Sequence, residues 1–183
     1  MRRDLVMPTN TINMRTFSAA DGLKLAYYVD DFTEPWRTPD TLLLLHAAMG
    51  SSLRWFNWVP RLSGRYRVVR LDLRGHGNSA LPAPEQPFSL AHLVGDVLQL
   101  LDIAGAGSAD IVGNSAGGYV AQQLAIHHPE RVRTLALFGS TPGLKHSHAP
   151  TWIPKIGKMG LKRFLAETIA ERFDQSADPE HVR

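Results

Sequence analysis

Cysteine is absent from the 183 residues, so neither a disulfide framework nor a thiolate metal site can form. Long apolar runs are missing too. The most apolar stretch, residues 41–45, has only the length of a strand, whereas a membrane-spanning helix needs roughly 20 apolar residues. The Arg2-Arg3 pair precedes no apolar run of signal-peptide length. From these absences we expect a cytoplasmic protein with no membrane partner.

A strong excess of one charge sign is also lacking, since the formal net charge is +3 and 20% of the residues are charged. The densest basic segment, residues 155–163, alternates with apolar residues, as the solvated face of a helix does. We therefore expect no nucleic-acid partner. With 44% hydrophobic residues, the chain has the composition of a globular protein with a sizeable core.

Strand-like and helix-like segments alternate along the first 138 residues. Asp21-Gly22 predicts a hairpin turn between strands at 16–20 and 23–30, and the apolar run at 41–45 predicts a strand buried on both faces. Further strands are predicted at 67–72, 109–112 and 132–138. Helices are predicted at 51–62, from the N-cap Ser89 to Gly105, and at 119–128. This alternation predicts an α/β fold, a mainly parallel sheet flanked by helices on both faces.

The pattern changes after residue 141. Residues 142–154 are interpreted as a loop, and residues 161–173 have the spacing of an amphipathic helix. No further strand is predicted. If the sheet ends at residue 138, its last strand should be an exposed edge with unpaired backbone groups. Earlier in the chain, we expect the aromatic cluster Trp55, Phe56 and Trp58 to pack in the core rather than to bind a ligand.

A Gly-x-Ser-x-Gly motif centred on Ser115 lies between the predicted strand at 109–112 and the helix that follows. Gly113 and Gly117 lack Cβ atoms where strand and helix crowd each other, and Gly118 relieves the first helical turn. The helix N-terminus points N–H groups at the place where negative charge would develop. This context is typical of a nucleophile elbow. We predict Ser115 as a catalytic nucleophile, the alternative being a tight turn with an idle serine.

Three segments together resemble the α/β-hydrolase family. Residues 46–50 resemble its oxyanion loop, residues 72–79 resemble its Asp-x-Arg-Gly-x-Gly-x-Ser segment, and residues 113–118 resemble its nucleophile elbow. The resemblance runs from about residue 16 to the end. It is greatest to the small esterase, enol-lactonase and cofactor-free perhydrolase branch. It implies that residues 1–141 are the N-terminal part of the hydrolase core and that residues 142–183 begin a helical cap.

The expected reaction is hydrolysis of a small-molecule carboxylic ester, lactone or related acyl bond through an acyl-enzyme on Ser115. The oxyanion donors are predicted to be the N–H groups of Ala116 and Ala48, with Ala47 as the alternative to Ala48. Neither a cofactor nor a metal is expected, and a homo-oligomer is left open. Rival hypotheses are carbon–carbon bond hydrolysis or perhydrolysis at the same site, and a non-catalytic binding protein that retains the elbow.

The resemblance also implies a catalytic acid and a histidine after the nucleophile, in the order Ser, acid, His. We expect both beyond Arg183, so that the 183 residues alone would be an incomplete catalytic unit. His46 and His76 are expected to hold loops together, the alternative being that one of them is the base. Asp72 is expected to be a structural or oxyanion-supporting carboxylate rather than a member of the triad. The remaining polar candidates are assigned to helix capping (His127, His128), to the loop before the cap (His146, His148) and to solvated positions (Asp174, Asp178, Glu180).

Overall fold

The computed structural model describes residues 14–86, 88–142 and 149–168. Six strands form one sheet. They are β1 (Met14–Ser18), β2 (Lys24–Asp30), β3 (Thr41–Leu45), β4 (Arg67–Leu71), β5 (Ala109–Asn114) and β6 (Val132–Phe138). Their order across the sheet is β1-β2-β4-β3-β5-β6. The predicted strands are confirmed, with boundaries that differ by at most two residues.

Strand direction divides the sheet into two parts. β1 and β2 form the predicted antiparallel hairpin, and Gly22 in its turn has a φ of 84°. β2 pairs antiparallel with β4, whereas β4, β3, β5 and β6 run parallel to one another. Because β3 and β5 are parallel neighbours with Leu45 opposite Gly113, the loops that follow these two strands emerge side by side at the same end of the sheet.

The main helices of the sheet unit are α2 (Leu90–Ile103) and α3 (Ala116–His127). Ser89 occupies the N-cap position of α2 as predicted, but its hydroxyl contacts the His92 ring at 2.8 Å instead of a backbone N–H. The helix predicted at 51–62 is wrong in extent. That segment forms a 3₁₀ turn at Ser52–Trp55 and a single helical turn, α1 (Val59–Leu62).

Both faces of the central strand β3 are covered. On one face, Leu43 and Leu45 belong to a core shared with α2 and α3; on the other, Leu42 and Leu44 pack with Trp55. β3 is therefore buried on both sides, as its apolar run predicted. The aromatic prediction holds only for Trp55, because Phe56 and Trp58 are exposed. The Trp58 ring lies edge-on to Phe138 at 5.7 Å.

β6 forms the edge of the sheet beyond β5 and pairs only with β5 among the described strands. Six of its seven residues are exposed. They include Leu135, Leu137 and Phe138. The exposed edge expected from the sequence is thus observed.

The chain divides into two compact units at Pro142. In the second unit the structure describes α4 (Ala149–Met159) and α5 (Leu161–Thr168). The loop predicted at 142–154 is wrong from residue 149 onward, because α4 begins there and continues through Pro154. Pro150 falls in the first turn of α4, where its missing N–H costs no helical hydrogen bond. Trp152 and Phe164 hold their rings 6.1 Å apart. The described helices include none with the length and apolar character of a membrane span.

Candidate active site

Ser115 lies between the end of β5 and the first residue of α3, with a φ of 50° and a ψ of −109°. A non-glycine residue in this region is strained by about 1–2 kcal/mol and needs surrounding contacts to hold it there. Its N–H donates to the Phe138 carbonyl at 2.8 Å. Its carbonyl accepts from the N–H groups of Gly118 and Tyr119 and from the Ser140 hydroxyl at 3.1 Å. The serine backbone is fixed from both neighbouring elements, β6 and α3.

The three glycines of the motif allow this close packing. A Cβ on Gly113 would lie 2.6 Å from the Gly118 Cα, and one on Gly117 would lie 2.4 Å from the Leu45 carbonyl oxygen. A Cβ on Gly118 would overlap the Ser140 hydroxyl. Gly113 and Gly117 therefore require glycine for contact between backbones, as the sequence motif predicted, whereas Gly118 makes room for the Ser140 side chain.

The loop after β3 lies against the start of α3, because the Gly117 N–H donates to the His46 carbonyl at 3.1 Å. This bond brings Ala47 and Ala48 to the end of the sheet that carries Ser115 and Ala116. Ala48 is exposed and Ala116 is half-buried. Among the described residues, the N–H groups of Ala48, Ala47 and Ala116 have no hydrogen-bond acceptor. All three predicted oxyanion donors thus remain available, and the choice between Ala48 and Ala47 stays open.

Both ring nitrogens of His46 contact backbone groups. Nε2 accepts from the Leu73 N–H at 3.0 Å, and Nδ1 lies 2.7 Å from the Ala47 carbonyl oxygen, to which it donates in the neutral ring. The side chain is fully buried, and this burial lowers the pKa of His46 below its usual value. His46 is therefore a neutral loop anchor with no nitrogen left to act as the base for Ser115, in line with its predicted role.

His76 is engaged in the same way from the neighbouring loop. Its Nε2 accepts from the Met49 N–H at 3.2 Å, and its Nδ1 lies 3.1 Å from the Arg74 carbonyl oxygen. The two imidazole rings are 5.2 Å apart. Neither histidine has a ring nitrogen free for proton transfer in this structure.

Asp72 holds the loops together from beneath. Its carboxylate accepts from the Ser52 N–H at 2.7 Å and from the Asn78 N–H at 2.9 Å, and the side chain is buried. Gly77 approaches the carboxylate so closely that any Cβ there would overlap it. The structure therefore places Asp72 as a support for the loops after β3 and β4, as predicted.

A buried ion pair fixes the loop after β4 to α2. The Arg74 guanidinium donates to both carboxylate oxygens of Asp96, at 2.7 and 2.6 Å, and to Asp21 at 2.7 Å. These carboxylates hold the pKa of Arg74 above its usual value. Arg74 and Asp96 are almost completely buried. The carbonyl to which His76 donates consequently belongs to a rigidly held residue.

The other polar candidates lie away from this site or outside the described residues. His127 and His128 are at the C-terminal end of α3, and the His128 ring is 3.7 Å from Glu130. The candidates outside the described residues are His146, His148, Asp174, Asp178 and Glu180. Within 14–86, 88–142 and 149–168, no group of three or more His, Asp or Glu side chains could hold a metal ion.

Two supporting residues were missed in the sequence. Ser140, whose hydroxyl donates to the carbonyls of Ser115 and Phe138, belongs to none of the three motif segments. Met49 has a φ of 59°, the other non-glycine residue with a positive φ in the described chain. The Met49-Gly50 pair looks like an ordinary turn in the sequence, so no signal marked Met49 as the residue with the positive φ.

The class of protein follows from this geometry together with a family comparison. A family model described as the alpha/beta hydrolase fold matches residues 40–172. The chain belongs to the α/β-hydrolase fold family, which confirms the resemblance seen in the sequence.

The relatives of the chain include hydrolases of different substrates. The chain is 43% identical over 105 residues to a 2-hydroxymuconate semialdehyde hydrolase of Pseudomonas sp., covering 54% of this chain and 36% of the relative. It is 39% identical over 152 residues to a pimeloyl-[acyl-carrier protein] methyl ester esterase of Aeromonas hydrophila, covering 79% and 57%. The solved structure of the enol-lactonase from Burkholderia xenovorans superposes with a TM-score of 0.72 at 27% identity, covering 88% and 60%. The chain thus spans between about a third and three fifths of the length of these relatives.

Proposed function

We propose that this chain carries the nucleophile and the oxyanion hole of a serine hydrolase acting on a small carboxylic ester or lactone. The observation that carries the proposal is the strained Ser115 backbone, held between β5 and α3 beside an Ala116 N–H with no acceptor among the described residues. A backbone conformation of this kind costs free energy, and such strain is concentrated at functional sites. The esterase and enol-lactonase relatives support the acyl chemistry.

In the proposed reaction, the Ser115 Oγ forms a bond to the substrate carbonyl carbon while a base removes the hydroxyl proton. The N–H groups of Ala116 and of Ala48 or Ala47 stabilise the oxyanion of the tetrahedral intermediate. Collapse breaks the bond to the alkoxide, which leaves with the proton as an alcohol, and water then hydrolyses the acyl-enzyme. Because the ring nitrogens of His46 and His76 are occupied, neither residue supplies the base. The base and its orienting acid are proposed to lie beyond Arg183, as the family order Ser, acid, His implies.

Carbon–carbon bond hydrolysis is the second candidate, favoured by the 43% identity to a 2-hydroxymuconate semialdehyde hydrolase. It would use the same Ser115 region and the same oxyanion donors. Perhydrolysis has no corresponding relative among those described above.

The proposal is tested by labelling with a fluorophosphonate followed by peptide mass spectrometry, in the 183-residue chain and in any longer form of the protein. Because the base is proposed to lie beyond Arg183, we expect the label on Ser115 in a form that continues beyond Arg183 and much weaker labelling of the 183-residue chain. The label should be lost in Ser115→Ala, whereas Ser140→Ala, which removes a neighbouring hydroxyl, should still be labelled. Hydrolysis of a short-chain aryl ester and of 2-hydroxymuconate semialdehyde would then separate the two candidate reactions. Undiminished turnover in Ser115→Ala would refute the nucleophile.

A further inference from the structure

The oxyanion loop contains a tight turn with an unfavourable residue at its third position. The Gly50 N–H donates to the Ala47 carbonyl at 3.2 Å, so Ala47, Ala48, Met49 and Gly50 form a hydrogen-bonded β-turn. Met49, third in the turn, has a φ of 59°. Turns with a positive φ at this position normally carry glycine there, and a side chain costs about 1–2 kcal/mol.

Without another contact, this turn would favour the alternative with a negative φ at Met49. The two forms differ by rotation of the peptide unit between Ala48 and Met49, which exchanges the positions of the Met49 N–H and the Ala48 carbonyl. The Ala48 N–H, one of the two predicted donors of the loop, belongs to the preceding peptide unit. The rotation would act on it through the ψ of Ala48 and through the changed direction of the adjacent Ala48 carbonyl. The turn therefore needs a partner that selects the observed form.

His76 is that partner. Its Nε2 accepts the Met49 N–H at 3.2 Å, and this bond forms only when the peptide unit is in the observed orientation. The acceptor is well anchored, because Nδ1 donates to the Arg74 carbonyl and Arg74 is held by the buried carboxylate of Asp96. The ring is thereby kept in the tautomer that leaves Nε2 as an acceptor.

The bond from Met49 is one half of a reciprocal arrangement. His46 lies at the start of the oxyanion loop and accepts the Leu73 N–H from the loop after β4. In the opposite direction, His76 lies in the loop after β4 and accepts the Met49 N–H from the oxyanion loop. The contacts of His46 hold the start of the oxyanion loop and the Ala47 carbonyl at the first position of the turn. The contact at His76 holds the peptide unit between Ala48 and Met49.

We propose that His76 is a positioning residue that holds the 47–50 turn in its strained form and thereby sets the oxyanion donor of this loop. The inference rests on the proposed function of Ser115. His76 does not touch the reacting atoms, so its loss should reduce transition-state stabilisation while leaving ground-state binding almost unchanged.

The test compares three variants with the unmodified protein, all in a form that continues beyond Arg183 and so carries the proposed base. His76→Phe keeps a planar ring and removes the acceptor. His76→Gln supplies an amide oxygen as acceptor and an amide N–H as donor. His92→Phe is the matched control, because it removes a half-buried imidazole on α2. Two quantities are measured: the saturation kinetics of fluorophosphonate labelling, as kinact and KI, and the hydrogen-exchange rate of the Met49 amide by NMR.

In His76→Phe we expect kinact to fall at least about tenfold, since loss of an entire oxyanion donor costs about 10² to 10³ in rate. KI should change less than about twofold. Exchange at Met49 should accelerate while exchange in β3 and α3 is unchanged. His76→Gln should recover most of kinact, and His92→Phe should resemble the unmodified protein.

Two failures can be told apart. If the unmodified protein is not labelled at Ser115, the proposed function fails, whatever the NMR measurement shows. If it is labelled and His76→Phe retains its kinact, or Met49 remains protected from exchange in that variant, the positioning role of His76 is refuted. A fall of kinact that His76→Gln does not reverse would likewise contradict an acceptor role.

Discussion

Gly117→Ala is a small change that tests how α3 is joined to the oxyanion loop. The added Cβ would lie 2.4 Å from the Leu45 carbonyl oxygen and 2.8 Å from the His46 carbonyl oxygen. Ordinary contact begins at about 3.4 Å, so α3 would have to move away from β3 by about 1 Å. Both obstructing atoms belong to the backbone of β3 and of the loop that follows it, and they cannot rotate aside.

The expected effect combines three contributions. Replacing a helical glycine by alanine favours the helix by about 1 kcal/mol. Overpacking costs about 1–3 kcal/mol and more where nothing yields, and the displaced Gly117 N–H weakens its bond to the His46 carbonyl, worth about 1 kcal/mol. We expect a net loss of about 2–4 kcal/mol in the free energy of unfolding if the upper part of the overpacking range applies.

Gly95→Ala in α2 is the matched control. Gly95 is also a helical glycine, it is exposed, and nothing lies within 4 Å of a Cβ built there. This variant keeps the propensity gain without the collision, so it should be more stable than the unmodified protein by up to about 1 kcal/mol. The same chemical change is thus predicted to have opposite signs in two helices of one domain.

Urea denaturation measures both variants. With an m-value of about 2 kcal/mol/M, Gly117→Ala should lower the midpoint by about 1–2 M. Fluorophosphonate labelling of its folded fraction should also slow at least about tenfold, because the movement separates Ala116 from the oxyanion loop. A Gly117→Ala protein with an unchanged midpoint would refute the tight contact between α3 and β3.

Two further predictions concern buried groups. Asp96→Asn should reduce the free energy of unfolding by about 3 kcal/mol or more in urea denaturation, because it leaves Arg74 buried without its main counter-charge. The control is Glu167→Gln in the exposed ion pair with Arg163, which should change the free energy of unfolding by less than about 0.5 kcal/mol. Equal effects of the two variants would contradict the stabilising role of the buried pair. The lowered pKa of His46 means that the unfolded chain binds its proton more readily, so stability should fall as the pH drops below about 6.5, by at most about 1.4 kcal/mol per pH unit. His46→Gln should flatten that slope, measured as urea midpoints between pH 7.5 and 5, and an unchanged slope would contradict the assignment.

The sequence predicted the parts of the fold where one local signal dominates. The apolar run of β3 predicted a strand buried on both faces, because its leucines are not suited to solvent. The glycine spacing around Ser115 predicted close contact between strand and helix. Prediction failed where prolines had to be interpreted. Pro150 and Pro154 suggested a loop, but the first lies in the opening turn of a helix and the second is tolerated within it.

Within the site, the sequence indicated the residue types but not their partners. Ser115 and the loop alanines follow from motifs, whereas the bond from Met49 to His76 joins residues 27 positions apart. Such a bond depends on the tertiary arrangement of the loops after β3 and β4, which local patterns do not encode. The positive φ of Met49 is hidden for the same reason, since its cost is offset by that distant acceptor.

The backbone supplies an argument for the location of the site that does not use the serine motif. Met49 and Ser115 are the non-glycine residues with a positive φ in the described chain. They lie in the loops after β3 and β5, two parallel strands that are neighbours in the sheet. In open α/β sheets, ligands bind at the carboxyl ends of the strands. Two separate strained positions at that end, each held by contacts from another element, indicate that folding free energy is used there to fix the directions of backbone N–H groups. An oxyanion hole has this requirement, because its donors must be oriented before the charge develops.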